Sequence, residues 1–185
     1  LANLSRRDRQ EKLSKFGMLF QGGALFDSLP VWQNICFGLL HQQKLTKVEA
    51  KKIAVKLLKA VNLDASIAEA FPAELSGGMQ KRVSLARAIA MNPEVIFFDE
   101  PTTGLDPIVS SSINDLIIKC VRDLGASAIT ITHDINSLRS IADRVGLLFK
   151  GKMIWVGSLA ELETTDNPYV TQFIQGQSEG PFTTG

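Results

Sequence analysis

Apolar residues fall into two patterns along the chain: short unbroken blocks, and longer stretches in which they recur every third or fourth position. The blocks predict strands, and the periodic stretches predict amphipathic helices. Residues 16–20 (FGMLF) form the first block and stop at Gln21-Gly22-Gly23, which reads as a buried strand entering a loop. Residues 95–98 (VIFF) run into Asp99-Glu100 and predict a strand buried on both faces. Residues 128–132 (AITIT) predict another buried strand, ending at His133. Residues 145–149 and 153–156 flank Lys150-Gly151-Lys152 and predict a hairpin.

The helices announce themselves by their ends. Thr46 and Glu49 form a capping box, and Ile53, Leu57 and Val61 follow as an apolar stripe with Lys51, Lys52, Lys56 and Lys59 in solvent. A helix over 76–91 is stopped by Pro93. Asp106-Pro107 supplies an N-cap and a proline at the first helical position, and Gly125 closes the helix. Its apolar face is Ile113, Leu116, Ile117, Cys120 and Leu124. Asp134 caps a helix with Ile135, Leu138 and Ile141 on one face. Ser158 and Glu161 form a second capping box, and Asn167-Pro168 opens a last helix closed by Gly176. The charged residues 1–15 read as a surface segment or helix end, and 176–185 as a flexible tail.

Strands alternating with helices predict an α/β fold with a mostly parallel sheet. Ligands in such sheets sit beyond the carboxyl ends of the strands. Gln21, Asp99-Glu100 and His133 all fall at those ends.

Composition narrows the classes. A length of 185 residues is about one domain, and 45% hydrophobic with 21% charged excludes a disordered chain. The net charge of +1 gives no field for gripping nucleic acid, so no nucleic-acid partner is expected. Two cysteines, Cys36 and Cys120, in apolar surroundings exclude a disulfide scaffold and fit a reducing cytosol. No apolar run reaches the ~18 residues of a membrane span.

Asp99-Glu100 is the most informative pair. Carboxylates straight after an apolar strand are costly unless a cation or donor meets them. At such a strand end one acid can hold Mg²⁺ and the next can deprotonate an attacking water. A turn cap explains the pair equally well when it is taken alone. Leu75-Ser76-Gly77-Gly78-Met79-Gln80 adds a small hydroxyl and two glycines at a helix N-terminus, where free amides suit an anion. His133 can donate to a phosphate oxygen or hold a water in register. Gln21 can offer an amide oxygen to a metal, although a polar turn residue is the simpler reading of it in isolation.

In this order the elements resemble the nucleotide-binding subunit of ABC transporters. LSGGMQ (75–80) is similar to the signature motif, VIFFDE (95–100) to Walker B and Gly104-Leu105-Asp106 to the D-loop. His133 is similar to the switch histidine and Gln21 to the Q-loop glutamine. Residues 20–37, 74–94, 99–108 and the C-terminal stretch resemble more narrowly the ATPases of Mla/Mce-type phospholipid transporters.

The resemblance implies a P-loop NTPase fold with a helical subdomain, binding ATP and Mg²⁺ between two subunits of a homodimer. It implies Glu100 as base and His133 as a clamp on the γ-phosphate. Asp99 and Gln21 would hold the metal. Ser76, Gly77, Gly78 and Gln80 would bind nucleotide across the dimer, and Asp106 would cross the interface. Residues 21–40, with Leu25, Phe26, Leu29, Trp32 and Phe37, would touch a membrane permease, although they fit a subdomain core nearly as well. The subunit would lie peripherally on the cytoplasmic face of the inner membrane. By motif, 1–21 would belong to the ATPase core, 22–88 to the signature subdomain, 89–160 to the core again and 161–185 to a C-terminal helix and tail.

The 185 residues contain no G-x-x-x-x-G-K-[ST]. In the family that loop precedes the strand leading to Gln21, and this sequence opens without methionine inside a charged segment. The expectation is a fold lacking its first strand–P-loop–helix unit, with an open sheet edge. Such a chain would hydrolyse ATP negligibly by itself. A soluble ABC-type ATPase and a non-hydrolytic interaction subunit are the alternatives.

Overall fold

The apolar blocks preceding Gln21, Glu100 and His133 become neighbouring parallel strands in the computed structural model, which describes residues 5–183. They are β1 (Phe16–Leu19), β2 (Val95–Asp99) and β3 (Ser127–Ile131), with β2 in the middle. Leu19 stands opposite Phe98, and Asp99 opposite Ile131, so all three carboxyl ends share one edge. The described residues divide after His133 into two compact units.

In the first unit, residues 1–4 of the charged segment lie outside the described residues, and α1 (Arg6–Leu13) follows Ser5 as N-cap. Helices α2 (Val31–Gln42), α3 (Lys47–Ala60), α4 (Gly77–Ile89) and α5 (Pro107–Leu124) complete the unit. The capping box at Thr46 and Glu49 forms as expected, and Gly125 closes α5 in the left-handed conformation at φ 62°. Helix α2 packs on α3 and α4, and α4 packs on β1 and α5. The approach of α4 to β1 requires glycine: a Cβ on Gly17 would sit 2.4 Å from the Ala88 carbonyl oxygen.

Three sequence expectations for this first unit need correction. The sheet is buried on one face, where Leu19, Ile96 and Phe98 meet the helices. On the other face Phe16 and Met18 are exposed, and Phe97 is half-buried. Strand β3 is an edge strand, with Ile131 62% exposed, so it is not the buried strand that its apolar run suggests. The α3 stripe is right at Val61, which is buried, and one residue off before it: Ala50, Ala54 and Leu58 are buried and Ile53 and Leu57 half-buried, because small alanines let α3 lie close to α2.

The apolar richness of 24–40 is mostly core: Val31, Trp32, Ile35, Cys36 and Leu39 are buried. Asn34 ties the preceding loop down, accepting from the Phe26 amide at 2.8 Å and donating to the Leu29 carbonyl at 2.8 Å.

The second unit joins α6 (Ile135–Ile141), the hairpin β4 (Arg144–Phe149) and β5 (Lys152–Ser158), α7 (Leu159–Thr164) and α8 (Pro168–Gln175). Lys150 and Gly151 turn the hairpin with φ of 46° and 74°, the positive pair a two-residue turn of this twist demands. The described part of the tail is docked, contrary to expectation. Phe182 lies edge-on to Phe149 and Tyr169, and its amide donates to Gln172 Oε1 at 2.9 Å.

Candidate functional site

Glu100 leaves the end of β2 with φ of 47°, a left-handed conformation that bulky residues adopt only when their surroundings hold them there. Its amide continues the ladder, donating to the Ile131 carbonyl at 2.9 Å. Its carboxylate turns to the end of β3. Oε1 lies 2.7 Å from His133 Nδ1 and accepts from the His133 amide at 3.1 Å. Oε2 accepts from Thr103 Oγ1 at 2.8 Å and Thr132 Oγ1 at 3.5 Å. An ionised carboxylate only accepts, so Nδ1 carries the proton of the imidazole and Nε2 is left to face other groups. The His133 side chain is 70% exposed and that of Glu100 15%.

Burial opposes the Glu100 charge, yet the hydrogen bonds from His133 and Thr103 prevail and hold its carboxyl below the usual glutamate range. The group is therefore held as an anion. Asp99, half-buried at the end of β2, is its sequence neighbour. Gln21 is exposed two residues beyond Leu19, as Glu100 is two beyond Phe98. The structure thus brings Gln21, Asp99, Glu100 and His133 to one sheet edge.

The loop after Gln21 has three successive positive φ angles, at Gly22, Gly23 and Ala24. Helix α4 pins it. Ser84 Oγ donates to the Gly23 carbonyl at 2.8 Å, and Arg87 donates to the carbonyls of Gly23 at 2.7 Å and Ala24 at 2.8 Å. The Arg87 guanidinium also lies 5.9 Å from the centre of the exposed Phe26 ring.

The same helix begins with the glycine pair. Ser76 is its N-cap and accepts from the Met79 amide at 3.4 Å. Gly77 and Gly78 abut the start of α5: a Cβ on Gly78 would lie 2.9 Å from Val109, and one on Gly77 would lie 3.6 Å from Leu105. Asp106 caps α5, accepting from the amides of Ile108 and Val109 at 3.0 Å each. Gln80 is turned back to the preceding loop, donating to the carbonyls of Pro72 at 2.9 Å and Leu75 at 3.3 Å.

Sequence reading missed Lys81, Ser84, Arg87, Thr103 and Thr132. Lys81 Nζ donates to the Glu100 carbonyl at 3.1 Å. Burial pushes its ammonium pKa down, against the pull of the Glu100 and Asp99 charges. A signal existed: Lys81 and Ser84, at i and i+3, occupy positions where an amphipathic helix should bury apolar groups.

No group of three or more His, Cys, Asp or Glu side chains suited to a metal occurs among the described residues. No helix among them is long and apolar enough to cross a membrane.

The chain is similar to known proteins in both sequence and fold. A solved structure of a dimeric ATP-binding cassette, MJ0796, bound to ADP and Pi superposes with a TM-score of 0.74 at 31% identity, covering 85% of this chain and 68% of that one. The "Probable ribonucleotide transport ATP-binding protein mkl" of Mycobacterium leprae is 37% identical over 177 residues, 96% of this chain and 51% of that protein. The "Intermembrane phospholipid transport system ATP-binding protein MlaF" of Haemophilus influenzae is 38% identical over 181 residues, 98% of this chain and 68% of that protein. The family model described as ABC transporter matches residues 2–103. The fold is thus that of ATP-binding cassettes, within the P-loop NTPases. The chain belongs to the ABC transporter family. It spans about half the length of its mycobacterial relatives.

Proposed function

We propose that the chain serves in the ATP-binding subunit of an ABC transporter, and that the natural protein couples ATP hydrolysis to the movement of phospholipid. The observation that carries the hydrolytic part is the Glu100–His133 pair, an anionic carboxylate held by an imidazole at the sheet edge. Glu100 accepts a proton from the attacking water. His133, with Nδ1 committed to Glu100, directs Nε2 at the γ-phosphate. Ser76 and the amides at Gly77 and Gly78 meet the γ-phosphate held by a second copy, because a helix N-terminus offers unpaired donors. Asp106, beside them at the start of α5, lies at that interface. Gln80 holds the loop that presents Ser76.

The donors suit Mg²⁺. It takes oxygen ligands, commonly one or two from carboxylates and the rest from phosphates and water. Asp99 and Gln21 are oxygen donors at adjacent strand ends, without a full cage around them. When bound, the cation neutralises charge on the β- and γ-phosphates.

Phospholipid as cargo is supported by the name of the MlaF relative at 38% identity. The partners are a second ATPase subunit, supported by the dimeric MJ0796 cassettes, and a membrane permease. Phe26, exposed and stacked 4.5 Å from Phe37, is the candidate permease contact within 21–40. The subunit then sits peripherally on the cytoplasmic face of the membrane, with 22–88 as its signature subdomain.

The test is Glu100→Gln in the natural protein. Phosphate release should fall by ~10²–10⁴, the worth of a general base, while ATP still binds. Near-normal release from the variant would overturn the base assignment.

A further inference from the structure

Among the described side chains Lys81 is the only charged one that is buried, at 4% exposure. A buried ammonium is retained only where it has a partner. Its bond runs from one turn inside α4 to the carbonyl oxygen of Glu100 at 3.1 Å. That oxygen also receives the Thr103 amide, but at 3.4 Å, so Lys81 makes the shorter contact. The residue it grips is the one whose backbone is left-handed, at φ 47°.

We propose that Lys81 is a positioning residue: its ammonium holds Glu100 in the left-handed conformation that turns the carboxylate to His133. The relevance to turnover rests on Glu100 being the base; the mechanical link does not. The orientation of α4 then sets the geometry of the carboxylate. A shift at Ser76–Gly78 is felt at Glu100 through a single helix turn and one charged hydrogen bond. A lysine serving only to fill space would leave the Glu100–His133 pair indifferent to its removal.

The test reads amide hydrogen exchange at His133, whose N–H is held by Glu100, in the natural protein with Lys81→Met and Lys81→Arg. Lys81→Met should speed that exchange on the order of tenfold, with Met18 in β1 unchanged, and Lys81→Arg should restore it. In the same variants Lys81→Met should lower kcat roughly 10- to 100-fold with little change in ATP affinity, as misplacement without lost binding predicts. Unaltered exchange at His133 in folded Lys81→Met overturns the proposal whatever the turnover. Faster exchange with normal turnover upholds the link and shows that turnover does not depend on how tightly Glu100 is held. If Lys81→Met does not fold, Lys81→Leu, which likewise removes the donor, carries the same test, and unaltered exchange there overturns the proposal too.

Discussion

His133 Nδ1 stands 2.7 Å from Glu100 Oε1, and the two residues come from the ends of different strands. Each is fixed by the other's element: the His133 amide meets the carboxylate, and the Glu100 amide meets Ile131. In the natural protein His133→Ala should therefore cost turnover, and Glu100→Gln more so. The loss from the pair together should fall short of the two single losses multiplied, because groups acting as a unit are not additive. Phosphate-release kinetics on the two single variants and the double variant check this.

The same pair predicts a pH dependence. Glu100 is held below the ordinary glutamate range, so its contribution is fully present above the unfolded pKa of ~4.3 and is lost as pH falls through the folded value. Melting temperatures of the natural protein should fall more steeply below about pH 5 than those of Glu100→Gln. A difference of about 1 kcal/mol would shift the midpoint by about 2–4 °C in a chain of this size. Parallel curves would show that the carboxylate is not specially held.

The two signature glycines should respond differently to alanine. At Gly78 a Cβ would press on Val109 at 2.9 Å, whereas at Gly77 it would make an ordinary contact with Leu105 at 3.6 Å. Gly78→Ala should destabilise by about 1 kcal/mol or more, and Val109→Ala should relieve part of it. Gly77→Ala should be neutral for folding, so any loss of turnover it causes reports on the nucleotide. Denaturant midpoints and kinetics on the same samples separate the two.

Gly17→Ala should be worse than either. Its Cβ would meet backbone, the Ala88 carbonyl at 2.4 Å, and neither β1 nor α4 can yield without separating. A cost of at least about 2 kcal/mol, or failure to fold, is expected in thermal melts.

Arg87 should tolerate no conservative exchange. Its guanidinium bridges two carbonyls in the loop after Gln21, and the single ammonium of lysine lacks that fork. Arg87→Lys should speed amide exchange over 22–26 while helix α4 persists by circular dichroism. Unchanged exchange would show that Ser84 alone fixes the loop.

Much of this fold is legible in the sequence because it rests on local contacts. The capping boxes at Thr46 and Ser158, the Asp106-Pro107 start and the closures at Gly125 and Gly176 depend on residues within one turn of each other. Local rules suffice for such contacts. The strand ends at Gln21, Asp99 and His133 were equally plain, because an apolar block that stops at polar groups marks its own edge.

The order of elements, the family motifs and the chemical candidates are written in local patterns along the chain. Which face of the sheet is buried depends on long-range packing, since Phe97 and Phe98 are the same residue type and differ only in what packs on them. Only the tertiary structure shows Lys81 and Arg87 gripping loops 19 and 64 residues away in sequence. Those bonds join segments distant along the chain, and no periodicity within a helix encodes the partner that a folded neighbour brings to it.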